Sequence, residues 1–138
     1  MRLALALLTW TTLTMQQARA AIVPTTEDVP SYVAYEAQRQ WVPIDLAVCT
    51  VFVESRFDPN ALGDWQNGQA EARGIWQWHA ASWRLAEDLR WEEPVAYREG
   101  AHDVARSTAL ALGMMRDGYT DWWAGWQVCG GILRGEGR

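Results

Sequence analysis

Apolar residues recur at helical spacing along most of this chain, and prolines and glycines cut the pattern into segments. Val33, Ala34, Ala37 and Trp41 predict one face of a first helix over about 30–40. Asp28 precedes it as a cap, and Pro30 sits in the first turn, where a missing N–H costs nothing. Ile44, Ala47, Val48, Val51 and Phe52 repeat the spacing after Pro43, with Asp45 near the positive helix end. The β-branched Val48, Thr50, Val51 and Val53 leave a strand open on propensity alone. Length and the leading proline favour a helix, which must stop by Asp58 because Pro59 disfavours helical geometry there.

The pattern then changes. Pro59-Asn60, Gly63-Asp64, Asn67-Gly68 and Gly74 make residues 58–74 turn-rich, with a short hairpin expected around Asn67-Gly68. Helical spacing returns from His79 or Ala80 to Leu89, and from Pro94 to Met115 with a break at Gly100. A last helix from Asp121 is expected to end at Gly130-Gly131, a glycine stop. No internal repeat, low-complexity tract or linker divides the chain. The fold class expected is mainly α, an α+β domain with one small turn-rich segment.

The ends read differently from the middle. Arg2, the apolar run Leu3 to Trp10, and Ala18-Arg19-Ala20 before Ala21 have the order of an export signal over 1–20. An uncleaved signal anchor is the alternative, although polar Thr11, Thr12, Thr14, Gln16 and Gln17 interrupt the run. No apolar run reaches the roughly 18–20 residues that span a bilayer, so stable membrane insertion is not expected after cleavage. Residues 21–28 form a polar lead-in, 29–131 the domain and 132–138 a flexible tail.

Composition narrows the partners. All 12 basic residues are Arg, against 17 acids and a net charge of −5. Loss of Arg2 and Arg19 with a signal would leave ten Arg and make the charge more negative still. Without a basic cluster, nucleic acid is excluded as a partner, because phosphate binding needs concentrated positive charge. The 10 tryptophans are too many for a small core to enclose, so some must reach a groove or the surface. Indole faces suit the C–H faces of sugars. Cys49 and Cys129 predict one disulfide in an exported chain, with two buried thiols as the alternative. They form no metal motif with His79 and His102, and no cofactor is implied. A monomer is expected.

Glu54 carries the candidate chemistry. It lies near the end of the second helix, where the negative helix end and nearby Phe52, Ile75 and Trp76 would disfavour ionisation. A carboxyl kept protonated near neutrality can donate to a leaving oxygen, as in glycosidic cleavage. An exposed helix-end glutamate paired with Arg56 or Arg73 is the alternative. Two-carboxylate hydrolysis needs a second acid, and Asp58, Asp64 and Glu71 are available.

Glu54-Ser55-Arg56-Phe57-Asp58-Pro59-Asn60-Ala61, with Gly74-Ile75-Trp76-Gln77 downstream, resembles the soluble lytic transglycosylase and goose-type lysozyme group. The resemblance extends from about Val29 to Gly131 and implies a lysozyme-like fold. It implies cleavage of the β-1,4 bond between N-acetylmuramic acid and N-acetylglucosamine in peptidoglycan, with Glu54 as acid and base. Lytic transglycosylation would close the muramic 6-hydroxyl onto the anomeric carbon; in a hydrolytic muramidase water attacks, with Asp64 the best second carboxylate. Substrate contacts implied are Ser55, Gly74, Ile75, Trp76 and Gln77. Many members carry a Tyr-Asn pair near the end, where this chain has Trp126-Gln127; Tyr119 is the candidate replacement hydroxyl. A glycan-binding domain without activity and a small disulfide-stapled interaction protein are the readings from other classes.

Overall fold

The computed structural model describes residues 23–135. Its elements run α1 (Val29–Arg39), α2 (Ile44–Ser55), β1 (Leu62–Gln66), β2 (Gln69–Arg73), β3 (Trp78–His79), α3 (Ala80–Leu89), α4 (Tyr97–Gly100), α5 (Val104–Arg116) and α6 (Ala124–Leu133). A 3-10 turn at Thr120–Trp122 precedes α6. This is the mainly α, α+β architecture expected. The signal assigned to 1–20, the first residues of the lead-in and residues 136–138 lie outside the described residues.

The helix starts follow local chemistry. Asp28 accepts the Ser31 N–H at 3.3 Å and opens α1, while Pro43 is the cap of α2. The strand alternative for 44–55 therefore falls, because this segment packs against both α1 and α6 through a helical face. Asn67 and Gly68 both take positive φ, 51° and 75°, the mirror-image turn that matches strand twist. They join β1 to β2 with Leu62 opposite Arg73 and Gln66 opposite Gln69. β3 then pairs with β2, Ala72 opposite His79.

Two boundaries differ from the pattern. The segment 94–115 breaks after Gly100 as expected but starts late: residues 92–96 are irregular, and Asp103 restarts the chain as α5 by accepting the Arg106 N–H at 2.8 Å. The last helix passes through Gly130-Gly131 to Leu133. Gly130 is buried and Arg134 closes over it, so packing carries the helix beyond the glycine stop.

Of the described tryptophans, Trp76, Trp78, Trp83 and Trp123 are buried, Trp122 and Trp126 pack partly against the core, and Trp41, Trp65 and Trp91 stand exposed. The buried rings meet edge to face, Trp78 lying 5.1 Å from Trp123 and 5.6 Å from Trp83. A buried indole N–H usually finds a partner, and three of these four do, while Trp78 Nε1 has none among the described residues. Trp76 donates to Thr108 Oγ1 at 3.1 Å, Trp83 to the Val95 carbonyl at 3.1 Å and Trp123 to the Trp76 carbonyl at 2.9 Å. That last bond fixes the start of α6 against the segment following the hairpin.

Candidate active site

Glu54 lies in the last turn of α2, and the chain leaves it abruptly through Arg56 and Phe57, both with positive φ. α6 packs antiparallel to α2, and the Cys49–Cys129 disulfide joins the two helices. Further along the same contact, the Gly125 N–H donates to Glu54 Oε1 at 2.8 Å. Gly125 is in the first turn of α6, where backbone N–H groups lack helical acceptors. A Cβ on this residue would stand 2.9 Å from Glu54 Oε1 and 3.1 Å from the Thr50 carbonyl. Glycine here is what lets the two helices approach closely enough for the bond.

Burial raises the pKa of the half-buried Glu54 carboxyl, opposed first by the Gly125 N–H, then raised by negative Asp64 and lowered by His79. Desolvation outweighs the hydrogen bond, so the net direction is upward. Among the described residues nothing donates to Oε2. Arg56 does not neutralise the acid; its guanidinium sits 5.7 Å from the Phe52 ring. Asp64, on β1, is exposed and meets His79 Nε2 at 2.8 Å. The charges of Asp64 and His79 both act on the Glu54 carboxyl, so the three side chains are neighbours.

Several expected substrate contacts are elsewhere. Ile75 and Trp76 are 1% and 0% exposed, and these side chains fill the core instead of lining a groove or drying Glu54. Phe52, also expected to dry the acid, is itself 48% exposed. Gly74 has φ 75°, and a Cβ would stand 1.8 Å from the Ala101 carbonyl oxygen; the close neighbour that requires glycine is protein backbone, not sugar. Gln77 turns back, its amide donating to the carbonyls of Gly74 at 3.0 Å and Ala61 at 3.4 Å. Ser55 Oγ donates to the Val51 carbonyl at 3.1 Å. Tyr119 stacks near Trp122 at 5.2 Å and makes no hydrogen bond to Glu54 among the described residues. Trp126 is half-buried and Gln127 exposed.

The sequence pointed to no role for Gly125, because a main-chain N–H has no side-chain signature. One signal was there: with Cys49 tied to Cys129 between antiparallel helices, the residue about one turn before Cys129 must face the one about one turn after Cys49. Among the described residues, no three His, Cys, Asp or Glu gather as a metal site. None of the described helices is long and apolar enough to cross a membrane.

The helices and the three-stranded sheet have the mainly α, α+β architecture of a lysozyme-like fold. The family model described as Transglycosylase SLT domain matches residues 31–131, and the chain belongs to that family. Membership brings a peptidoglycan lytic transglycosylase-type function at the level of the family, with peptidoglycan as the substrate class. Searches of curated proteins and of solved structures returned no match. The disulfide fits a chain that passes through an oxidising compartment.

Proposed function

We propose that this chain is an exported, monomeric enzyme that cleaves the N-acetylmuramic acid–N-acetylglucosamine β-1,4 bond with Glu54 as general acid and then base. Residues 1–20 serve as its signal, 21–28 as a lead-in and 29–131 as the catalytic domain. The supporting observation is the half-buried Glu54 carboxyl, raised in pKa by burial, with Gly125 holding Oε1. Oε2 is then free to protonate the leaving glycosidic oxygen as the C1–O bond breaks. In lytic transglycosylation the muramic 6-hydroxyl attacks C1, its proton returns to Glu54, and no water is consumed. Ser55, next to Glu54 in the chain, and Trp126 and Gln127, next to Gly125, are the residues to test for sugar contacts, together with Tyr119. Digestion of purified cell wall with mass spectrometry of the products tests this: 1,6-anhydro ends are expected. Glu54→Gln should lower turnover by about 10²–10⁴-fold, the usual worth of a general acid, while glycan binding persists. Unchanged turnover would exclude Glu54.

Asp64 favours a second reading, hydrolysis. An exposed carboxylate held 2.8 Å from His79, with its negative charge acting on Glu54, can orient water. Reducing ends in place of anhydro ends, lost in Asp64→Asn, would establish it. A glycan-binding domain without activity gives neither product, and its binding is unaffected by Glu54→Gln.

A further inference from the structure

A cavity of about 830 Å³ lies between β2, α3 and residues 94–99, and neither Glu54, Asp64 nor His79 lines it. Gln69, Glu71 and Arg73, alternate residues of β2, form one wall. A second cavity of about 330 Å³ meets it along Arg73 and Arg98 and adds Leu62 and the exposed Trp65. Together they make a trough that starts at the hairpin and ends against α3.

The opposite wall is irregular chain held in one shape. Val95 N–H donates to Glu87 at 2.8 Å, and the Val95 carbonyl accepts from Trp83 at 3.1 Å. Arg106 bonds Glu87 at 3.1 Å, Glu92 at 3.3 Å and the Glu93 carbonyl. The Tyr97 hydroxyl lies against the carbonyls of Glu71 and Trp78. Glu87 is only 5% exposed, and a buried carboxylate is costly unless paired and hydrogen-bonded. Its bonds go to Val95 and to Arg106, which itself holds the preceding residues. The wall is therefore preformed.

Apart from Glu87, which Arg106 holds, the charged residues lining the cavity make no ion pair among the described residues. Ion pairs elsewhere engage Arg39, Arg90, Arg106 and Arg116, but none engages Arg73, Arg84 or Arg98. Glu71, Asp88 and Glu99, lining the same cavity, likewise have no cation of the described residues within ion-pair distance. Cations and anions spread around one preformed cavity suit a ligand that carries both signs, a short peptide with free ammonium and carboxylate groups. The volume falls in the roughly 300–1,000 Å³ range of ligand sites. We propose that this trough binds the peptide branch of the peptidoglycan strand, apart from the glycan.

The proposal rests on the glycan lying at Glu54, so its test has two separable arms. In the first, a soluble stem tetrapeptide without sugar is titrated into the full chain by calorimetry. Binding is expected in the native chain and in Glu54→Gln, and weakened at least tenfold in Arg73→Gln/Arg98→Gln. In the second, KM is compared on glycan bearing its peptides and on glycan stripped by an amidase. The double variant should raise KM on the first substrate alone, with kcat and melting temperature unchanged. Equal peptide affinity in the double variant, or no binding together with equal KM on both substrates, overturns the proposal. Undiminished turnover by Glu54→Gln, with peptide binding intact, would instead remove only the assignment of the acid.

Discussion

Removing the disulfide tests stability and site geometry together. Cys49 and Cys129 are 80 residues apart, and in the chain-entropy account closing a loop of that size contributes about 4–5 kcal/mol. Small domains have only about 5–15 kcal/mol in total. At roughly 4–5 °C per kcal/mol near this size, Cys49→Ala/Cys129→Ala should lower Tm by about 15–25 °C. The second consequence is local. The bridge holds α6 against α2, and the Gly125 N–H reaches Glu54 along that contact. Displacing an acid from its productive geometry by about an ångström costs up to about 10²-fold. Activity measured well below the variant's own melting range should therefore fall about 10- to 100-fold, although the chain remains folded. Calorimetry gives the first quantity and a cell-wall turbidity assay, with circular dichroism to confirm folding, the second. A Tm loss under about 5 °C would refute the loop-closure reasoning. Full activity in the folded variant would refute the link between the bridge and the acid.

Gly125→Ala should keep the fold but push α6 from α2, and because the lost N–H bond lowers the Glu54 pKa, the alkaline limb of the kcat/KM profile should move to higher pH. Glu54→Gln should raise thermal stability at neutral pH. A carboxyl whose pKa is raised on folding favours the folded chain below its ordinary range and loses that contribution as pH rises through the folded value, a cost that Gln escapes. Gly74→Ala should cost roughly 2–4 kcal/mol in denaturant unfolding, since it combines positive φ with a clash on the Ala101 carbonyl.

How far the chain could be read follows from where each signal resides. Helix starts were legible because Asp28 and Pro43 act within a few residues of themselves, and the hairpin because Asn67-Gly68 can take the turn alone. β3 was not, since two residues carry no period and Trp78–His79 is a strand only through β2. The end of α6 was misplaced because packing overrode a local stop at Gly130-Gly131. At the site, the motif located Glu54 but could not separate residues that line a groove from those that support it. Ile75 and Trp76 are apolar in either role, and only the burial given by Leu110, Met114 and their neighbours distinguishes the two. Chemistry alone left Asp58, Asp64 and Glu71 open and the resemblance singled out Asp64; its juxtaposition with His79 depends on strand pairing across 15 residues.

The bond from residue 125 has a consequence in time. A ribosome must add at least 71 residues beyond Glu54 before the acid meets its donor, and the thiols must then be oxidised before the brace becomes covalent. On the proposed reading a partly made or still-reduced copy would hold a slack acid, and full activity would come only once the thiols had met an oxidising compartment.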